Sequence, residues 1–592
     1  MDKESLKKVW VKRVISFFWK MTMTNKWPFF VACVGMVICS LASLILPIFY
    51  TRIVDVVQVS NVARISLVPV LIWILISMAI VEFFSVAWWR MVWFSTASFE
   101  PRVMRRIFEY SFAYLNKHSF RFFSNNFSWA LVKKVNKLTY SYEIVSDIFI
   151  FNLIRIIIYL PFIVIVVGKK SPIIWLIFLA FILIFSLFQY FFFKWNMPYE
   201  IRANQQDSKV TWELSDTITN HFNVLTFASL TREVKRFGDT VKYREYLIRK
   251  KRMRAEWMFF VSTLLIFVFE ISSIYFAIQA RGKWLISAWM IILIQVYIFK
   301  LFEQLFNIRN ILKQLNRAIW ESAEMLEILD KPHEIADKSD KNLVVNSGKI
   351  ELRDLKFTYN NAVPIFDGLN LDIKPWEKIA IVWHSWSGKT TLAKLLLRFF
   401  DIQWGEILID GQNIANVTQE SLRKNISIVP QDPILFHRSL RENIVYWRPD
   451  VSNQEMVNAA KMARCHKFII WFKDGYETLV GERWIKLSWW ERQRVAIARA
   501  ILENKRIFIL DEATSSLDSE SEKLIQEAIN EVIRNKTVIV IAHRLSTIMK
   551  MDKIIVMDNG KIIEKWSHRE LLAKNNWIYK NLRDIQSGWF IE

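Results

Sequence analysis

Apolar and polar positions divide this chain into two parts with different periods. Up to about residue 330, long apolar runs alternate with basic stretches; beyond it, short β-rich runs alternate with helical segments. Residues 29–50 are uncharged throughout, and as a helix they cover about 33 Å, enough to cross a bilayer core of about 30 Å. Further spans are expected at 66–88, 149–167, 173–193, 257–280 and 285–307. The first run is too long, and too closely followed by others, to be a cleaved signal peptide. Segments 97–143 and 194–256 mix apolar and charged residues and predict helices that extend the spans into the cytoplasm.

The stretch from 331 to 345 reads as a linker. After it, strands are expected at 349–357, 378–382, 406–409, 426–429, 506–510, 537–541 and 553–557, and helices at 389–399, 452–463, 490–503 and 519–534. The expectation is therefore a six-helix transmembrane domain over 1–330 followed by an α/β phosphate-loop domain over 346–592 with an antiparallel β subdomain.

Charge then fixes an orientation. The three segments 1–27, 97–143 and 194–256 hold 28 Lys and Arg, whereas 51–65, 168–171 and 281–283 hold 6. Basic loops stay on the cytoplasmic side, so both termini and the soluble domain are expected there, in a cytoplasmic (inner) membrane. The net charge of +23 thereby becomes a matter of topology and of contact with anionic lipid, and it gives no case for nucleic acid. Three cysteines support no disulfide framework. Arg155 and Glu270 lie inside spans, where a substrate pathway or an ion pair between helices would relieve their cost.

Candidate chemistry begins at the apolar strand Ile379–Val382, which runs into Trp383, His384, Ser385, Trp386, Ser387, Gly388, Lys389, Thr390 and Thr391. A phosphate loop reads G-x-x-x-x-G-K-[ST] between strand and helix, because small residues let backbone N–H groups curl around phosphate. Gly388, Lys389 and Thr390 fit that pattern, but the first glycine position holds Trp383. Two indoles, at 383 and 386, obstruct the close approach, so the letters taken literally predict damaged nucleotide binding. The anomaly recurs at Leu487, Ser488, Trp489, Trp490 and Glu491. Composition shows the same bias, with 13 Gly and 27 Trp in 592 residues where Gly usually supplies about 7%.

With these motifs in order, the chain resembles an ATP-binding cassette exporter, a half-transporter of the multidrug or lipid-flippase type. That family's signature loop reads Leu-Ser-Gly-Gly-Gln; here Trp489 and Trp490 stand at both glycines and Glu491 replaces Gln. Trp376, Trp447, Trp484, Trp566 and Trp577 also fall where family patterns favour Gly. The economical explanation is recoding: the source reads UGA as glycine and the sequence is written with Trp. The alternative is a degenerate transporter.

The resemblance implies ATP and Mg2+ as cofactors and assigns roles by motif. Residues 383–391 would cradle phosphate, with Lys389 on the β/γ-phosphates and the Thr390 hydroxyl on magnesium. Asp511, at the end of an apolar strand, would orient magnesium, and Glu512 would take the proton of the attacking water. Gln431 would sense magnesium and γ-phosphate, and His543 would contact γ-phosphate. Asp518 would communicate across paired cassettes, and Tyr359 would stack on adenine. Ser488, with the backbone of 489 and 490, would cap γ-phosphate bound by an opposite cassette. A composite site of this kind implies a homodimer, with a heterodimer as the alternative. The implied function is ATP-driven export or flipping of a hydrophobic or amphipathic cargo by alternating access. Open beside it stand a peptide exporter and, if the indoles are genuine, an inactive transporter-like scaffold.

Overall fold

The computed structural model describes residues 3–59, 68–169, 172–282, 288–359, 364–383, 389–481, 487–511, 519–541, 545–558, 560–573 and 579. The chain forms two compact units: 1–116 with 128–331, and 117–127 with 332–592.

In the first unit, helix α1 (Lys3–Thr22) precedes α2 (Lys26–Val59) and α3 (Val68–Leu115). A short α4 (Phe120–Ser124) belongs to the second unit. Then come α5 (Ser128–Asp147), α6 (Ile154–Gly168), α7 (Pro172–Thr219), a short α8 (His221–Thr226), α9 (Leu230–Gly282) and α10 (Ala288–Leu329). Among the described residues, six helical stretches are long and apolar enough to cross a membrane, as the hydrophobic pattern predicts. At 1.5 Å per residue, the 48 residues of α7 and the 53 of α9 run about 70–80 Å, more than twice a hydrocarbon core. These helices are longer than their apolar parts because charged residues continue the helical pattern without a break. Aromatic packing holds the apolar parts together: Phe181 stacks on Phe269 with centroids 4.0 Å apart, and Phe178 meets the same ring edge-on at 5.0 Å.

Three of the charged side chains in the spans, Arg155, Lys300 and Glu270, have partners on neighbouring helices. Arg155 of α6 lies 3.8 Å from Glu303 of α10. Lys300, one turn back on α10, donates to the Ser43 hydroxyl of α2 at 2.7 Å, and Glu270 of α9 accepts from the Gln295 amide of α10.

The second unit contains two sheets. The four-stranded sheet has the order β2-β1-β4-β5 and is antiparallel throughout: β1 (Ile350–Phe357), β2 (Phe366–Ile373), β4 (Trp404–Ile409) and β5 (Gln412–Asn413). The six-stranded sheet has the order β10-β9-β3-β8-β7-β6, from β3 (Lys378–Trp383), β6 (Ile426–Val429), β7 (Ile507–Asp511), β8 (Thr537–Ile541), β9 (Lys553–Asp558) and β10 (Lys561–Trp566). Strands β9, β3, β8, β7 and β6 are parallel, and only β10 is antiparallel.

Parallel sheets are covered on both faces and their strands read as continuous apolar runs. Here Ile379, Ile381, Ile507, Ile509, Ile539 and Ile541 pack on one side, with α11 (Lys389–Leu396) and the smaller sheet. Ala380, Val382, Phe508, Leu510, Val538 and Val540 pack on the other, under α14 (Asn453–Met462), α16 (Trp489–Glu503) and α17 (Ser519–Val532). Remaining helices are α12 (Gln419–Asn425), α13 (Leu440–Ile444), α15 (His466–Trp471), α18 (Leu545–Ile548) and α19 (His568–Ala573).

The β4–β5 turn is a two-residue loop, Asp410 and Gly411, both left-handed at φ +48° and +76°. Asp410 accepts hydrogen bonds from the backbone N–H groups of Asn346, Ser347, Gly348 and Lys349 and from the Ser347 hydroxyl. Burial opposes its ionisation, but these donors outweigh it and bring its pKa down to about 2.

Segment 117–127 is built into this unit. The Phe120 ring stacks on Phe399 at 5.4 Å, Lys394 lies 5.3 Å over the same ring, and the Ser119 hydroxyl donates to Glu334.

Candidate functional site

The five parallel strands point their carboxyl ends to one edge of the sheet, and ligands of open α/β sheets bind outside that edge. Register fixes its layout. Ile381 of β3 pairs with Ile541 of β8, which pairs with Asp511 of β7, so three strands end in one row. Val429 of β6 lies opposite Leu510, one residue behind. Each strand thus leads into one motif: β3 into 383–391, β8 into His543, β7 into Glu512 and β6 into Gln431.

Helix α11 starts at Lys389, six residues after β3 ends at this edge, and its first-turn N–H groups have no partner within the helix. Leu392, Leu395 and Leu396 bury its inner face. At its other end, the buried guanidinium of Arg398 pairs with Asp401 and donates to the carbonyls of Val417 and Ala336. Arg423 donates to the carbonyls of Leu397 and Arg398. These two arginines fix the helix from its C-terminal side, where cations are favoured. Sequence reasoning missed both, although a basic residue closing a predicted helix is a readable signal.

Asp511 is 4% exposed at its strand end. Tyr359 is half-buried, with Phe357 and Phe400 edge-on at 4.9 and 5.1 Å, and its hydroxyl lies 3.3 Å from that of the buried Thr391 on α11. Gln431 is half-buried, two residues past β6. Of the other expected site residues, His384, Ser385, Trp386, Ser387, Gly388, Glu512, Asp518 and His543 lie outside the described residues, and Trp383, Lys389 and Thr390 are described in their backbone only. Among the described groups, a buried carboxylate at a strand end beside the start of a helix is an arrangement that fits a nucleotide phosphate with its divalent ion.

Ser488 is the N-cap of α16. Its hydroxyl accepts from the N–H of Glu491 at 3.3 Å, while the Glu491 carboxylate accepts from the N–H of Ser488 at 2.7 Å. This capping box explains how Glu at the signature Gln position keeps a structural use. Trp489 and Trp490 are the first two helical residues, their rings 4.7 Å apart and nearly perpendicular. The Trp489 indole N–H donates to Asp432, beside Gln431, at 3.1 Å.

Trp376 differs from both. Glu377 N–H donates to the Lys374 carbonyl at 3.1 Å, closing a turn with Pro375 second and Trp376 third at φ +65°. That position of a turn with Pro before it takes glycine, since a Cβ there is strained. Among the described tryptophans, only Trp376 has a positive φ.

Residues 366–515 match the ABC transporter family model. An uncharacterized ABC transporter ATP-binding protein of Haemophilus influenzae is 48% identical over 289 residues, 46% of this chain and 47% of that protein. ATP-binding cassette sub-family B member 6 of Xenopus tropicalis is 34% identical over 406 residues, 67% of this chain and 47% of that protein. These matches span about half the length of the curated relatives. At full length, the structure of a bacterial Atm1-family ABC exporter with ATP bound superposes with a TM-score of 0.81 at 28% identity, covering 94% of this chain and 98% of that one. Six apolar helices followed by this two-sheet domain reproduce the arrangement of that exporter structure, and the ABC transporter family match falls within the two-sheet domain. That exporter structure is one of the Atm1 family, and the soluble domain of this chain is the part that matches the ABC transporter family.

Proposed function

We propose that this protein hydrolyses ATP to export or flip a hydrophobic or amphipathic cargo across a cytoplasmic membrane, working as a homodimer with its ATP-binding domains in the cytoplasm. The observation that carries this reading is the aligned row of strand ends, Ile381, Ile541 and Asp511, which leads the separate motifs to one edge. In this reading Lys389 and the N–H groups of α11 bind the β/γ-phosphates, and Tyr359 packs against adenine. Asp511, Thr390 and Gln431 hold Mg2+, which supplies charge neutralisation on the phosphates when bound. Glu512 takes the proton of the attacking water, and His543 orients that water against γ-phosphate. Ser488 and the start of α16 close on the γ-phosphate held by the second copy, with Asp518 beside that interface. Binding drives transport only because the closed pair binds ATP better than the open one.

The same proposal includes glycine at the motif positions written Trp. The left-handed turn at 376 supports it independently of the nucleotide, because that backbone belongs to glycine whatever the cargo. Mass spectrometry of the native peptide over 379–392 reads positions 383 and 386 directly. Protein with the glycines, reconstituted in proteoliposomes, is expected to show Mg2+-dependent ATP hydrolysis and ATP-dependent movement of lipid or drug probes, both lost in Glu512→Gln. Full transport by the Glu512→Gln protein would overturn the base assignment.

A further inference from the structure

Helices α7, α9 and α10 enclose a cavity of about 190 Å³ in the membrane unit. Its wall is apolar, from Phe185, Tyr190 and Phe193 of α7, Met258 of α9, and Leu305 and Ile308 of α10. The polar Gln189 amide on the same wall is directed to the Ser262 hydroxyl of α9, at 3.4 Å. These residues lie where the apolar parts of the three helices give way to their charged extensions, at the expected cytoplasmic level. No tryptophan lines the cavity, so its shape does not depend on how the Trp positions are decoded.

Cations gather immediately beyond it. One turn along α9 from Met258, the Arg254 guanidinium lies 3.6 Å from the Tyr199 ring centroid and 4.1 Å from that of Trp195. Its Nη1 is buried and has no hydrogen-bond partner among the described residues. One further turn along, Lys251 and Lys313 share a single carboxylate, Glu200, at 2.9 and 3.4 Å. Five of the six residues 249–254 are Lys or Arg, and the exposed Glu256 lies beyond them. Positive-inside topology accounts for basic residues at this level. It does not account for a guanidinium edge that is buried and unpaired beside an apolar cavity, because a cation present only for topology would sit in water.

A cavity for hydrocarbon next to a guanidinium that stacks on two rings but leaves one edge without a hydrogen bond is complementary to one kind of molecule. We propose that this site binds an acidic phospholipid of the cytoplasmic leaflet, with part of an acyl chain between α7, α9 and α10 and the phosphate on Arg254, flanked by the 249–251 cluster. Clustered basic residues just inside a membrane helix attract anionic headgroups, and the planar guanidinium suits phosphate oxygens. The inference rests on the membrane orientation proposed above and not on ATP hydrolysis.

The test uses the purified full-length protein with equal amounts of phosphatidylglycerol and phosphatidylcholine of identical chains, retained lipid being counted by native mass spectrometry. Wild type is expected to retain phosphatidylglycerol about fivefold over phosphatidylcholine, the effect of one well-placed cation near an anionic surface. Arg254→Gln should fall to parity and Arg254→Lys should keep most of the preference. Met258→Trp, which fills the cavity, should lose both lipids, and Leu305→Phe repeats that arm if Met258→Trp does not fold. Equal retention by wild type overturns the proposal, as does a preference that survives both Arg254→Gln and cavity filling. Protease protection of a C-terminal tag in sealed vesicles reads orientation separately, so an inverted topology is distinguishable from an empty site.

Discussion

Two tryptophan-bearing segments of the soluble unit, the start of α16 and the turn at 374–377, carry the same residue type in opposite circumstances. At α16 the backbone is an ordinary capped helix start, and the indoles of Trp489 and Trp490 find partners in each other and in Asp432. The fold tolerates them, and any objection concerns what must approach that helix end. At Trp376 the side chain is half exposed, yet the backbone is left-handed. The difference separates two reasons for glycine: room for a ligand, and freedom of φ. A single cause that places the wrong letter at both kinds of site is a cause acting on the code and not on the function.

The largest effect is expected at the ligand-facing positions. Replacing Trp383, Trp386, Trp489 and Trp490 together by Gly should raise ATP hydrolysis by at least about 10²-fold over the protein carrying the indoles, the usual worth of restored backbone donors at a reacting anion. Equal steady-state rates in the two proteins would break the comparison at its first limb.

Trp376→Gly should leave hydrolysis per folded molecule unchanged and stabilise the protein by about 1–2 kcal/mol, the cost of the left-handed region for a residue with a Cβ. Denaturant midpoints measure it, and Trp376→Ala should recover little of the gain. Asp410 sharpens the same limb, since it is also left-handed but is held there by five donors. Asp410→Ala should cost about 1–3 kcal/mol. Because the folded pKa of Asp410 lies below its ordinary value, its contribution is present above about pH 4 and is lost as pH falls through about 2. Asp410→Asn should flatten that part of the pH–stability curve. Smallest is the cap: Ser488→Ala should cost about 1 kcal/mol whether or not the next two residues are indoles, read as a shift in denaturant midpoint.

Much of the fold was legible because its signals are local. The runs Ile379–Val382 and Ile507–Leu510 are apolar on both faces, as central parallel strands must be, and the six spans are written in hydropathy. Strand β2 was missed because Gly368 and Asn370 interrupt it, and β10 because Lys561, Glu564 and Lys565 give an edge strand a polar cast. The long helical extensions of the spans were legible, but the breaks at α4 and α8 were not, since neither loop carries proline. At the site, the letters around Lys389, Asp511 and Ser488 could be read directly. Their common edge could not, because strand order is set by pairing between segments distant in the chain, such as Ile379 with Ile539 and with Lys553. The αL turn at Trp376 was hidden for a simpler reason: the letter printed there argues against it.

The placement of Phe120 has a practical consequence for dissection of this protein. Anyone who cuts the gene at residue 332 to make the ATPase piece alone discards a strip that the piece is folded around, leaving the Phe399 ring and the Lys394 stem facing water. Such a fragment is expected to be sticky and less heat-resistant than the intact polypeptide, and adding a synthetic peptide of residues 117–127 should restore part of what the cut removed.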